Sequence, residues 1–417
     1  MTLDIIVNLN VNVALRLNKH LFIMRKQPME ISAMSLSYEL NAEQNILRQS
    51  VREFAEKEIK PVARELDAKE IFSYELTAKM AELGLFGIFV PPEYGGAGLD
   101  YVSYIIAVEE LARIDGSQAA TIAAGNSLGI GPIYYFGTQE QKEEWLPRLC
   151  TGEILAGFGL TEPTAGSDAS GSRTHAVRDG DDWILNGSKI FITNAACDIT
   201  GVIVVQAVTG KKSDGRKELS CFLVPADAKG LTKKAMKNKM MWRASNTAEL
   251  YFDEIRLPSS ALLGKQGDGF RQMMITLDGG RLSIGSMGLG GAQGAFELAL
   301  AYSQERKQFN QSLFSFQATQ FKLANMATEI EAARNMLYKA CWLKDNKKPF
   351  GKLAAMAKLY CSEVMGRVAD EAVQIHGGYG LMQEYDVERF YRDQKLLTIG
   401  EGTSEVQRIV IARHLSD

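Results

Sequence analysis

The chain has 417 residues, 46% of them hydrophobic and 23% charged, so it can bury more than one core and is not globally disordered. Lys and Arg number 47 against 50 Asp and Glu, a net charge of −3 that argues against a surface built to follow nucleic acid. Five scattered cysteines with no C-x-x-C, and four histidines with no H-E-x-x-H, speak against a disulfide framework and a metal site and fit a reducing compartment.

Residues 1–36 read as an extension. Apolar residues alternate with Asn, Ala and Arg from Val7 to Leu17, and Met24, Met29 and Met34 offer alternative starts. Within residues 1–34, Asp4, Glu30 and a single Ser make a poor transit peptide, so a disordered or mis-started segment competes with a targeting signal. No run reaches the roughly 18–20 apolar residues of a membrane-spanning helix, so no membrane insertion is expected.

Residues 37–153 predict a helical domain, with Ser50 and Glu53 opening a turn and Pro91-Pro92 followed by Tyr94-Gly95-Gly96 as a loop. Residues 154–265 predict a β domain. There Asn186-Gly187, between two β-prone runs, reads as a hairpin turn, and Val202–Val208 and Leu219–Val224 read as strands. Residues 266–417 predict a helical bundle, with apolar stripes on Leu323, Met326, Ala327, Ile330, Ala333 and Leu337, and on Leu353, Met356, Ala357, Tyr360, Val364 and Val368. The fold class is α+β multidomain. The glycine-rich stretch Gly285–Gly294 is not a dinucleotide fingerprint, because its third glycine falls on Gln293 and helix precedes it; such small residues let helices pack closely.

Three motifs carry chemistry. Gly157–Asp168 brings Thr161, Thr164 and Ser167 to an irregular loop, either a surface turn or a cradle for a heteroaromatic edge or phosphate. Phe191-Ile192-Thr193 places an aromatic and a hydroxyl on one strand face. Ile399–Arg408 sets Glu401 between two glycines ahead of a last helix, where Ser404 and Gln407 form a possible capping box and Val406, Ile409 and Val410 its apolar face. Glu401 either complements that helix's dipole or, in an apolar pocket, has its pKa raised for proton abstraction.

With Leu277–Arg281, Glu305–Phe309, Gln317 and Gln374–Gly380, these motifs make the chain resemble the acyl-CoA dehydrogenases from about Leu40 to Leu415. The resemblance implies an N-terminal α domain, a middle β domain and a C-terminal four-helix bundle, assembled as a homotetramer around FAD. It implies dehydrogenation of an acyl-CoA thioester to the trans-2-enoyl-CoA, with Glu401 as base and a flavin hydroxyl and the base's own amide stabilising the thioester oxygen. Electrons then pass to an electron-transferring flavoprotein. Phe158, Leu160, Thr161, Gly166 and Ser167, and Phe191, Ile192 and Thr193, would line the flavin. Arg306, Lys307, Gln308, Gln317, Gln374, Ile375, His376, Gly377 and Gly378 would reach the FAD of a neighbouring subunit, and Thr403, Ser404 and Glu405 the adenine-side phosphates. Ser167, Phe270, Asp278, Arg281 and Gly402 would contact acyl-CoA.

A minority of such enzymes carry the base just before the arginine, a slot that is Gly280 here. The resemblance favours short-chain or branched short-chain substrates and a bacterial cytoplasm, or a mitochondrial matrix in a eukaryote. An O₂-using oxidase and a non-catalytic, nucleic-acid-binding relative are the alternatives. A chain beginning at Met34 is expected to fold, bind FAD and turn over.

Overall fold

A computed structural model describes residues 39–416. The expectations for residues 1–36 lie outside the described residues. The first helices are α1 (Ala42–Phe54), joined by a π-helical stretch to α2 (Lys60–Lys69), then α3 (Tyr74–Glu82). Ser50 and Glu53 lie inside α1 rather than at a turn, because nothing there interrupts the helical repeat. The Pro91–Gly96 loop forms as expected; a side chain at Gly96 would run into the Val90 carbonyl at 2.1 Å.

α4 (Tyr101–Ala112), capped by Asp100, is buried along its whole length. Its two carboxylates survive burial because each is paired, Glu110 with Arg52 and Arg113, and Glu109 with Arg334 and the Tyr338 hydroxyl. α5 (Gly116–Ala124) runs through a π-helical stretch at Gly125–Ile130 into α6 (Gly131–Phe136), and α7 (Gln139–Cys150) opens on a Thr138–Gln141 capping box.

The β domain holds β1 (Leu155–Gly159), β2 (His175–Asp179), β3 (Asp182–Thr193), β4 (Thr200–Lys211), β5 (Lys217–Pro225), β6 (Leu231–Ala235), β7 (Thr247–Leu257) and β8 (Leu262–Leu263). The strand order is β6-β7-β3-β2-β4-β5-β8, with β1 parallel on β4. Trp183, Leu185, Val205, Phe222, Leu250 and Ile255 fill its core.

The expected hairpin at Asn186-Gly187 is wrong. Those residues lie within β3, and the chain reverses at Gly180-Asp181, where Asp179 pairs with Asp182. Asn-Gly instead marks a bulge: Gly187 sits at φ 141° with the Thr174 backbone 2.6 Å from where a Cβ would be. Asn186 trades hydrogen bonds with Glu254 on β7, whose own φ is +49°.

α8 (Gly269–Glu305) is the spine of the helical C-terminal region; β9 (Lys307–Gln308) and β10 (Gln311–Ser312), α9 (Gln317–Asp345), α10 (Gly351–His376), α11 (Val387–Leu397) and α12 (Ser404–Arg413) follow. Gly285–Gly294 lies within α8 and packs closely as expected. A Cβ at Gly290 would meet the Glu109 carbonyl of α4 at 2.2 Å, and one at Gly288 the Cys361 carbonyl of α10 at 2.9 Å. On α9 the expected stripe is buried except for Ala327, which is exposed. On α10 Leu353, Met356 and Tyr360 are only half-buried, while Ala354, Lys358 and Cys361 take the interior. All five cysteines are buried and free.

Candidate functional site

Glu401 lies in the turn between α11 and α12. Its backbone is left-handed, with φ 52°, and Gly402 continues at φ 93°. That reversal carries the side chain back onto α8, where Glu401 Oε2 lies 1.9 Å from the position a Cβ would take on Gly280. Position 280 is therefore glycine because the carboxylate occupies the space. The cap of α12 is Thr403, whose hydroxyl accepts from Val406 N–H at 3.2 Å, and not Ser404 as the sequence suggested. Gln407 turns inward and donates to the carbonyls of Glu401 and Gly402. The expected apolar face is also misplaced: Ser404 and Gln407 are buried, whereas Ile409 is half exposed.

The residue Glu401 is half-buried, but its Oε2 is shut off from solvent and has no hydrogen-bond partner among the described residues. Burial pushes its pKa up to about 7, against the pull of Lys358 and Arg281. Arg281 Nε, Ser404 Oγ and Gln407 Oε1 are likewise buried without partners. Unpartnered buried polar atoms are few in a folded protein, and finding three more on Arg281 and on the first turn of α12, just after Glu401, marks a place built for a polar ligand. Arg281 is held by Asp278 one turn earlier on α8. The Tyr101 hydroxyl donates to Gly279 O at 3.0 Å and closes the other side. The main-chain N–H of Glu401 donates to nothing among the described residues.

The loop after β1 meets the second motif on β3. Ile190 N–H donates to Thr161 O at 2.9 Å, and Lys189 Nζ to Leu160 O at 3.1 Å. A buried ion pair that the sequence reading missed organises this loop. Glu162 accepts from Lys189 Nζ at 2.7 Å, the Ser172 hydroxyl at 2.7 Å, and the Arg173 and Thr174 amides. Burial pushes Glu162 up but is outweighed by Lys189 and these donors, which hold it down at about 2. The only signal in the sequence was a lysine at an inward position of a β-strand.

Around that anchor, Phe158 is buried, Leu160 and Thr161 are half-buried, and Gly166 and Ser167 are exposed. Phe191, at φ 62°, is 62% exposed, and Thr193 lies on the same outward side, flanking buried Ile192. The hydroxyls of Thr161, Ser167 and Thr193 have no partner among the described residues. A bare aromatic face rimmed by unused hydroxyls suits a flat heteroaromatic ring with a polar edge.

A third cluster lies at the far end of α8. The Arg306 guanidinium stands 5.5 Å from the Tyr379 ring, and Tyr302 stacks on His376 at 4.2 Å. Lys307, Gln308, Gln317, Gln374, Gly377 and Gly378 are exposed there, while Ile375 and His376 are buried. No hydrogen bond or ion pair joins this cluster to the β1 loop or to Glu401 among the described residues. Phe270, exposed at the start of α8, is ten residues from Gly280, about 15 Å along the helix. A groove of about 790 Å³ beside Trp145, Lys229 and Arg256 contains none of these residues and lies apart from the site.

Three family models match in series: acyl-CoA dehydrogenase N-terminal domain over residues 41–153, middle domain over 157–255 and C-terminal domain over 267–416. The chain is 52% identical over 380 residues to a probable acyl-CoA dehydrogenase, YngJ, of Bacillus subtilis, covering 91% of this chain and 100% of that one. It is 46% identical to the mitochondrial short-chain specific acyl-CoA dehydrogenase of Bos taurus, over 91% of each. The butyryl-CoA dehydrogenase structure from Megasphaera elsdenii matches with a TM-score of 0.88 at 43% identity, covering 92% of this chain and all of that one.

Proposed function

Because the chain belongs to the acyl-CoA dehydrogenase family, we propose that Glu401 is the base that takes the α proton of a short-chain acyl-CoA. The reaction class is settled by that membership: the chain is an FAD-dependent oxidoreductase that oxidises the CH–CH bond of acyl-CoA thioesters. Bound FAD supplies the acceptor for the hydrogen that leaves the β carbon. The observation that carries the role of Glu401 is its buried, unpartnered Oε2, in a pocket that raises it to about 7. A carboxyl so placed can hold the α proton once taken and is a stronger base than a solvated glutamate. Its unused main-chain N–H suits the thioester oxygen as charge develops there.

The residues present fit the cofactor. Phe191 and the hydroxyls of Thr161, Ser167 and Thr193 offer the ring surface, and the buried, unpartnered Ser404 Oγ offers a donor beside the site. Phe270, Asp278, Arg281 and Gly402 line the course of acyl-CoA past Gly280. A short acyl chain is favoured by the short-chain and butyryl-CoA relatives. An electron-transferring flavoprotein takes the electrons onward. No described helix is long and apolar enough to cross a membrane, and we place the enzyme in a bacterial cytoplasm or, in a eukaryote, the mitochondrial matrix. The domain limits at residues 153 and 265 fall in the links between β1, α8 and the elements before them.

A homotetramer is supported by exposed apolar side chains around the third cluster, Phe309 at 89%, Leu381 at 74% and Phe321 at 60%. There Arg306, Gln317 and Gln374–Gly378 would hold the FAD of a second copy. Arg306→Ala would lose a charge-assisted contact of about 1.5–3 kcal/mol. It is expected to shed FAD on dilution and shift the assembly toward smaller species; a variant that stays tetrameric and fully yellow refutes the shared site. Glu401→Gln tests the base. It keeps FAD and acyl-CoA affinity and loses ~10²–10⁴-fold or more in turnover with butyryl-CoA and a dye acceptor. More than about a tenth of the activity remaining removes Glu401 from that role.

A further inference from the structure

Lys358 is a lysine in the interior of the helical region. It sits on α10 against Gly285 of α8, its residue has no exposed surface, and among the described residues its ammonium donates to one acceptor, the Gly402 carbonyl, at 2.7 Å. The Gln407 amide donates to the same carbonyl at 2.9 Å and to the Glu401 carbonyl at 3.3 Å. Both side chains thus converge on the two residues with left-handed backbone. Glycine adopts that conformation freely, but glutamate does so only when its surroundings hold it. An apolar residue could fill the same space at lower desolvation cost, so the charge itself calls for an explanation.

We propose that Lys358 is a positioning residue for the base: with Gln407 it clamps the Gly402 carbonyl, keeps Glu401 in its left-handed turn with the carboxylate against Gly280, and balances the charge of that carboxylate. The inference rests on Glu401 being the base. Electrostatics agree with the geometry. Burial pulls the Lys358 ammonium down to about 8, Glu401 pushes it back up, and Lys358 in turn opposes the rise of Glu401. The other groups facing this pair are Arg281 on α8, the Tyr101 and Tyr104 phenols on α4 and Glu405 on α12. Arg281 is already committed to Asp278.

The test is the pH profile of kcat/KM for the FAD-loaded enzyme and its Lys358→Met and Lys358→Gln variants, with butyryl-CoA and a dye acceptor. Methionine keeps the length and loses the charge; glutamine keeps a donor and loses the charge, and carries the test if the methionine variant does not fold. In either variant the acidic limb moves to higher pH by about one unit, because an opposite charge has left the carboxylate. In Lys358→Met, kcat also falls about tenfold or more while KM stays near that of the parent, as expected when a base is misplaced and binding is not. An unmoved limb in a folded variant overturns the proposal, whatever happens to kcat. Failure of both variants to fold overturns it too, as the mark of a purely structural lysine. If Glu401→Gln stays active, the base assignment itself is wrong; if it is inactive and the Lys358 variants keep the parent limb, only the clamp is lost.

Discussion

Glu162 and Glu401 are two interior carboxylates of one chain held at opposite ends of the acidity scale, about 2 and about 7. Burial pushes both upward. Glu162 is surrounded by an ammonium, a hydroxyl and two amides that use both of its oxygens. Glu401 keeps an oxygen with no partner among the described residues, faces glycine, and the cation that pulls on it most, Lys358, is tied to a neighbouring carbonyl. Partners rather than depth therefore separate a carboxylate that fastens a loop from one that is ready to take a proton.

The largest effect that would sharpen this contrast is on the fastening side. Lys189→Met leaves Glu162 buried without its counter-ion and should destabilise the protein by about 3–5 kcal/mol, read as a lower denaturation midpoint. Adding Glu162→Gln should restore much of that loss, since no unpaired charge remains. If the single variant is as stable as its parent, Glu162 is not the anchored group described here.

Next comes Gly280→Ala. Its methyl group must displace Glu401 Oε2, and a misplacement of about 1 Å can cost ~10²-fold in turnover. Stability and FAD content should change little. Near-parental turnover would mean that the carboxylate has another productive position.

The smallest effects are those of pH. Glu401 must be ionised to act, so kcat/KM should rise with pH through about 7. For stability the two groups have opposite signs. The raised pKa of Glu401 favours the folded state below about 4.5, and that contribution is lost as pH rises to about 7. The lowered pKa of Glu162 favours the folded state above about 4.5 and is lost as pH falls toward 2. Glu401→Gln should then be more stable than its parent at pH 8 by about 1–3 kcal/mol, while Glu162→Gln should be less stable. Chemical denaturation at pH 5 and pH 8 measures both, and matching pH trends would remove the contrast.

Much of this was legible in the sequence. The order helices, strands, helices follows from periodicity, and the Gly-Glu-Gly turn announced Glu401 because glycine is needed where backbone and carboxylate crowd. The anchor escaped because Glu162 and Lys189 are 27 positions apart, and no local pattern reports a pairing made by folding. Asn186-Gly187 was misread because a bulge and a tight turn demand the same residues; the ladder with β7 decides between them. The cap moved to Thr403 because Gln407 was needed indoors, bonded to the site's own carbonyls. Nothing in the sequence singled out Lys358, since composition cannot say which face a lone lysine turns.

α8 also behaves as a ruler. From Phe270 through Gly280 to Glu305 it is unbroken, so each residue fixes about 1.5 Å of advance and 100° of rotation between the carboxylate's seat and the Arg306 end. Inserting or deleting one residue between Gly280 and Glu305 would swing that end by about 100° relative to Glu401 and dislodge the glycine seam on α4 and α10. Length variation among working homologues is thus expected in the loops on either side of this helix and not inside it. A graft that exchanges the carboxylate pocket between relatives must take the helix whole, with its residue count unchanged.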